Sequence, residues 1–404
     1  MWDRVGGTRG RYGRGATIKD GDRSVPATTE GYDARRARHI LLPLLLTLAC
    51  CIPSSLLRSS TSHAAARPRD PYTLADRFLA RMTLQQKIGQ MVIAPVDSVV
   101  ATGRLGGVLV FGSDIVSPSQ GRARLAALAR AEGVPLLVAV DEEGGAISTM
   151  SSGGVPGELS PAQYGALGSP ARVYQDALKT GRALRALGVN MDLAPVLDVL
   201  TNPRSPIGSR SYGADPARVA TLGAAAIRGY QGAGLAATAK HFLGLGVSGA
   251  DAHRELPTDA HTLSQLERGE LVPMRAAIKA GVDALMVTHV AIPAIDASGT
   301  PASLSRPIVT GFIRGRLGYQ GLIITDSLAM GGLGAHIASI QAAAVRAVEA
   351  GNDMVLIAAD VPTIKITLTA LDHAAFAGQL PVSAIDASVR RILIVKARLG
   401  LLGR

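Results

Sequence analysis

A closed (β/α)8 barrel of the TIM type, forming a single α/β catalytic domain over residues 71–404, is the fold this sequence predicts. Three observations carry that expectation. Eight short apolar runs recur between Met91 and Ala358, most gaps between them are long enough for a helix, and polar or charged residues stand where the runs stop. Continuous apolar strands alternating with helices describe a parallel sheet covered on both faces. Eight such repeats over about 330 residues suit a barrel. An open, doubly wound sheet is the competing arrangement, and the number of repeats weighs against it.

The runs are Met91–Val96, Gly107–Phe111, Leu136–Val140, Met191–Val196, Ala236–Phe242, Ala284–Val290, Leu322–Leu328 and Met354–Ala358. Each is short enough for a strand and too short for an independent helix. Between them, Ala171–Leu187 and Ile340–Ala350 carry Ala, Leu and Val at helical spacing and stop at Gly188 and Gly351, the usual residue at a helix end. At or just beyond the strand ends stand Asp141–Glu142–Glu143, Asp198, Lys240–His241, His289 and Asp326. A single carboxylate there is often a helix cap. Several at corresponding positions predict a shared site on the C-terminal rim, where barrel enzymes build theirs.

The chain's 404 residues are 47% hydrophobic and 18% charged, which suits a globular protein with a substantial core. The formal charge of +11 does not point to nucleic acid. Nine Lys/Arg against five Asp/Glu precede Cys51, the remaining charges are scattered, and only 3% of residues are aromatic. A solvated basic surface is the reading this charge supports, with no nucleic-acid partner, and the protein is expected to act as a monomer.

Residues 1–51 read as an extension ending in a signal-like segment. Arg35, Arg36 and Arg38 precede the apolar run Ile40–Ala49, which is too short to span a bilayer as a helix, and Cys50 and Cys51 come next. A cysteine at that place resembles the lipid-attachment site of bacterial lipoproteins. Cys50 has Thr47 three residues upstream where Leu is usual; Cys51 has Leu48 there but Cys50 directly before it. Residues 52–70, rich in Ser, Ala, Arg and Pro, read as a tether. The expected location is extracytoplasmic, at the cell envelope, either lipid-anchored to the cytoplasmic membrane or secreted. Both cysteines lie in this leader, so residues 71–404 hold no internal disulfide and no Cys/His zinc cluster. Carboxylates, histidines and lysines are expected to do the chemistry, with no metal and no other cofactor.

Two segments carry that chemistry. Lys240–Pro257, KHFLGLGVSGADAHRELP, joins a basic pair at a strand end to Gly244, Gly246 and Gly249 and then to an Asp-x-His doublet, Asp251 and His253. The glycines give the backbone freedom to turn and close. Histidine titrates near neutral pH, and an adjacent carboxylate favours its charged form and fixes its orientation. Taken alone, the doublet equally suits a solvent-facing loop. The other segment, GLIITDSLAMGGL, delivers Asp326 to a strand end, placed either to attack a substrate carbon or to cap the next segment.

In combination these motifs resemble the β-N-acetylhexosaminidase branch of glycoside hydrolase family 3. The resemblance implies that Asp326 is the nucleophile and His253 the acid/base, tuned by Asp251. It further implies that Lys240, His241 and Asp141 (which opens DEEGG) hold sugar hydroxyls, and that Arg210 in IGSRSYGADP points into the substrate site. Read from the residues alone, Arg210 could instead pair with Asp215, and Lys240 with Asp198. Weaker likenesses at MTLQQKIGQM, PASLS and AGNDMVLI extend the resemblance from Leu74 to the C-terminus. Against the family pattern, Ala146 and Thr149 replace arginines, Leu243 and Leu245 replace Pro and His, and Ala252 replaces the Ser between the dyad residues. The implied function is a retaining exo-β-N-acetylglucosaminidase acting on peptidoglycan fragments or related glycans. A β-glucosidase or phosphorylase of the same family, or a glycan-binding lipoprotein with weakened catalysis, are the rival readings. Many two-domain β-glucosidases of the family draw their acid/base from a second domain, for which this length leaves no room.

Overall fold

The structure is a computed structural model and describes residues 70–403 apart from Glu132 and Ala335. The signal-like segment, with Cys50 and Cys51, and the tether before residue 70 lie outside the described residues. Eight parallel strands close into a barrel: β1 (Val92–Pro95), β2 (Gly107–Leu109), β3 (Leu137–Val140), β6 (Met191–Asp192), β7 (Ala236–Phe242), β8 (Ala284–Val287), β9 (Leu322–Ser327) and β10 (Met354–Leu356). They pair in chain order, and β1 returns to β10 through Val92↔Val355 and Ile93↔Leu356. That last pairing excludes the open sheet. A small antiparallel hairpin, β4 (Glu142–Gly144) and β5 (Ile147–Ser148), stands on the end of β3.

Every apolar run read from the sequence contains a barrel strand, usually shorter than the run. β3 and β8 are buried at every position, as are all seven residues of β7. Burial on both faces is why the runs are continuous and not alternating. The run Met191–Val196 is strand only at its first two residues, with one isolated bridge further along at Val196↔Lys240. Pro195, lacking an N–H, cannot donate to a ladder at this point.

The helices begin and stop for local reasons. Pro170–Leu187 is capped by the Ser169 hydroxyl and ends at Gly188 with φ 111°, a left-handed conformation that favours glycine. Ile340–Ala350 is capped by Ser339 and ends at Gly351, φ 106°, where a Cβ would also meet Thr310 Oγ1 at 2.4 Å. After β8 the chain winds as a π-helix over Pro307–Arg316. No described helix is long and apolar enough to cross a membrane.

Three connections leave the C-terminal rim without regular structure for most of their length. The β4–β5 hairpin carries Asp141's neighbours, residues 193–215 carry Asp198 and Arg210, and residues 243–262 carry Asp251 and His253. With the ends of β7 and β9, these hold every candidate residue.

Candidate active site

The floor of the site is a cluster of two cations and two carboxylates. Lys240 Nζ, near the end of β7, lies 2.6 Å from Asp141 Oδ1 and 2.6 Å from Glu143 Oε1. Arg210 grips the same Glu143 through both oxygens, at 2.6 and 2.8 Å. Glu143 and Lys240 are almost fully buried, at 2% and 3% side-chain exposure, whereas Asp141 and Arg210 keep 34% and 28%. The exposed pair is therefore open to the rim, and the buried pair holds it in place. Burial works against the charges of Glu143, Lys240 and Arg210, but the opposite charges outweigh it. Glu143 is held well below the usual carboxylate range, and Lys240 and Arg210 are raised above their ordinary values. Two of the three Lys240 donors are committed to carboxylates, which leaves one.

Glu143→Gln breaks this cluster and is expected to cost about 3 kcal/mol of stability, because it leaves a buried cation underpaired. The sign with pH follows from the depressed pKa. The stabilisation is complete above the unfolded value of 4.5 and fades as pH falls toward about 2. Denaturant midpoints measured across that range should converge for wild type and variant at the acid end; parallel curves would show that Glu143 carries no such linkage.

The second group surrounds Asp326. Its Oδ1 accepts the Ser327 N–H at 2.8 Å and its Oδ2 the Thr288 hydroxyl at 3.2 Å. Burial raises its pKa, but His241, His289, the Ser327 N–H and Lys240 together hold it below the ordinary value. Asp326 is thus ionised at neutral pH, a nucleophile's required state. It lies inside β9 and bonds its immediate neighbour, so it is not a helix cap. His241 is oriented by Asp198, whose Oδ2 accepts from Nδ1 at 2.7 Å. His289 is buried, which lowers its pKa below the ordinary histidine value while the Asp326 charge works the other way. Its Nε2 lies 2.9 Å from the Ser327 carbonyl and its Nδ1 2.7 Å from the Ser303 hydroxyl. A carbonyl only accepts, so Nε2 carries the proton, and the ring fixes the backbone beside Asp326.

The third group is the loop. His253 Nδ1 lies 2.8 Å from Asp251 Oδ1, the same oxygen that accepts the His253 N–H at 2.9 Å. His253 stays exposed and Asp251 half-buried. Burial raises the Asp251 pKa, but the His253 N–H and ring bring it below the ordinary value, so the dyad holds an ionised carboxylate. The loop is docked onto the turn that comes after Asp326. Gly332 N–H donates to the Ala252 carbonyl at 3.1 Å. A Cβ on Gly331 would meet the His253 carbonyl at 2.5 Å, and one on Gly332 would meet Ala252 O at 2.4 Å. Only glycines at 331 and 332 allow the dyad to approach the Asp326 strand this closely.

The loop's own glycines divide. Gly244 has φ 99° and Gly246 would drive a Cβ to 2.1 Å from Val199 O, so one supplies a turn and the other a close approach. Gly249 needs neither, its nearest neighbours being ordinary contacts.

Two pairings open in the sequence resolve differently from their simplest forms. Arg210 pairs with Glu143, not Asp215, which instead caps the helix Pro216–Gly232. Lys240 pairs with Asp141 and Glu143, not Asp198. Glu143 and Asp198 are the residues that motif reading left without a site role. Both stood in the sequence among the charged residues near strand ends, but no spacing rule says which carboxylate of DEEGG faces a lysine nearly a hundred positions away.

The Glycosyl hydrolase family 3 N terminal domain model matches residues 83–395. The chain belongs to glycosyl hydrolase family 3. It is 37% identical over 274 residues to a beta-hexosaminidase of Pseudomonas aeruginosa, covering 67% of this chain and 80% of that protein. Among solved structures, the family 3 β-N-acetylglucosaminidase from Paenibacillus sp. str. FPU-7 superposes with a TM-score of 0.77 at 39% identity, covering 79% of this chain and 63% of that one. A structure of the beta-glucoside phosphorylase BglX superposes at 0.75 with 26% identity, covering 83% and 61%. The chain spans less than two thirds of both solved chains.

Within the family frame, the departures from its motif find local uses. Thr149 Oγ1 donates to the Asp141 carbonyl at 2.6 Å and so ties the hairpin to the floor, while Ala146 is exposed at the hairpin turn. Leu243 and Leu245 are buried in the core. The Leu245 N–H donates to Asp198 Oδ1, a bond that any non-proline residue makes there.

Proposed function

We propose that this family 3 protein is a retaining exo-β-N-acetylglucosaminidase that removes terminal N-acetylglucosamine from peptidoglycan fragments or related glycans. The observation that carries the reading is the docking of the Asp251–His253 loop onto the turn at Gly331 and Gly332, shortly after Asp326, which supports a shared rim for an ionised Asp326 and a histidine paired with Asp251. The names of the hexosaminidase and glucosaminidase relatives support the choice of sugar.

In the proposed reaction Asp141 and Arg210, the exposed half of the floor cluster, hold sugar hydroxyls, with the last Lys240 donor and His241 beside them. Asp326 attacks the anomeric carbon as the glycosidic C–O bond breaks. His253, protonated at both ring nitrogens, gives the Nε2 proton to the leaving oxygen while Asp251 holds Nδ1. Water then enters, loses its proton to the neutral imidazole, and displaces Asp326, so the anomeric configuration is retained. Each step restores the group the next one needs.

The experiment is release of nitrophenol from aryl β-N-acetylglucosaminide and aryl β-glucoside side by side, with and without phosphate. Preferential cleavage of the N-acetyl sugar, unaffected by phosphate, supports the proposal. A preference for the glucoside, or a sugar 1-phosphate product, transfers it to the rival enzymes of the family. Turnover of neither substrate, with sugar still binding, favours a glycan-binding protein.

We further infer extracytoplasmic placement through a lipid on Cys50 or Cys51, motivated by the basic stretch and apolar run before them. Cells expressing a chain with both cysteines changed to alanine should lose the membrane-bound fraction. Unchanged partitioning would sink the anchor and leave secretion.

A further inference from the structure

Behind the dyad, at the base of its loop, lies a second cluster that the proposed chemistry does not use. Asp259, His261 and Glu270 each present a ligand atom within 4.8 Å of the other two. His261 Nδ1 is 3.1 Å from Asp259 Oδ1 and 3.8 Å from Glu270 Oε2, yet it makes no hydrogen bond. Asp259 and Glu270 are buried, at 1% and 3% exposure, and one oxygen of each, Asp259 Oδ2 and Glu270 Oε2, has no hydrogen-bond partner. Orphaned carboxylate oxygens at that depth are costly, and two buried carboxylates gathered about one imidazole call for a shared positive partner or protons.

We propose that Asp259, His261 and Glu270 form a divalent-cation site of the zinc class that clamps the two ends of the dyad loop. Imidazole with carboxylates suits zinc and its neighbours, and zinc bonds of about 2.0–2.2 Å in a tetrahedron put donor atoms roughly 3.4 Å apart. The observed 3.1 and 3.8 Å straddle that spacing.

The placement gives the site its consequence. Asp259 and His261 lie at the exit of the loop, where Asp259 N–H is fixed to the Ala291 carbonyl at 2.9 Å. Glu270 packs against the loop's entry, its Cγ 2.8 Å from where a Cβ on Gly244 would stand. A cation joining them closes the stretch 244–262 at its base without touching Asp251 or His253, and so limits how far the dyad can swing. The proposal departs from the sequence's expectation of no metal at this one place, outside the proposed chemistry.

The test is a zinc chloride titration by calorimetry into the chelator-stripped full chain, in wild type, His253→Ala, His261→Ala and Glu270→Gln. One site should saturate in wild type and His253→Ala, and weaken by at least about tenfold in the other two. Hydrogen exchange across residues 244–262 should slow with zinc only where zinc binds tightly. Because His261 is partly exposed, its variant is the one chosen to keep the fold, and His261→Gln repeats it with less loss of volume. No saturable binding in wild type, equal affinity in wild type and both His261 variants, or loss in His253→Ala alone would each overturn the proposal. The readout is binding, so it stands or falls separately from the glycosidase reading.

Discussion

Asp326→Ala is expected to lower turnover of an aryl β-N-acetylglucosaminide by on the order of 10^4-fold or more, the scale on which enzymes lose an essential nucleophile. The position is unusual within the rim. Lys240 is paired directly with Asp141 and Glu143, whereas the described hydrogen bonds to Asp326 come from one hydroxyl and one backbone N–H. Its negative charge is favoured by His241, His289 and Lys240 without being neutralised by direct contact. Removing it leaves Thr288 and Ser327 with water as a partner, so the thermal midpoint should move little. A variant with near-wild-type kcat would take the nucleophile's role away from Asp326.

His253→Ala is the next largest, with a loss of about 10^2- to 10^4-fold, the usual worth of a general acid–base group. Its size should depend on the leaving group. Nitrophenolate departs with little protonation, so the first step suffers least with that substrate, and the second step, which needs a base for water, becomes limiting. An unactivated glycan loses both contributions. Equal losses on aryl and natural-type substrates would argue that His253 merely shapes the loop. Asp251→Asn should act through His253, shifting the pH profile of kcat while leaving the aryl substrate's KM nearly unchanged. His253 is exposed and Asp251 only half-buried, so neither change should unfold the barrel.

Much of this was legible in the sequence, for reasons that differ between elements. The strands were readable because burial on both faces makes them uniformly apolar, and the helices at 170–187 and 340–350 because Ala, Leu and Val recur at helical spacing and stop at Gly188 and Gly351. Asp326, Asp251 and His253 could be singled out as candidates because each sits in a motif whose neighbours fix its context. What was hidden depends on contacts between distant segments. Glu143 takes its meaning from Arg210, 67 positions on, and Asp198 from His241, 43 positions on. The importance of Gly331 and Gly332 arises only when the dyad loop lies on them. The cluster of Asp259, His261 and Glu270 has no recognised metal spacing, because its third member comes from the start of a helix further along the chain.

The measurement that bears most directly on the central claim is peptide mapping after reaction with a fluorinated 2-acetamido glycosyl fluoride, a sugar that forms the glycosyl-enzyme quickly and releases it slowly. The account predicts one sugar per chain, covalently attached at Asp326, in the peptide containing Leu322–Ser327. Label on another carboxylate, or no covalent species together with a product of inverted anomeric configuration, would contradict it.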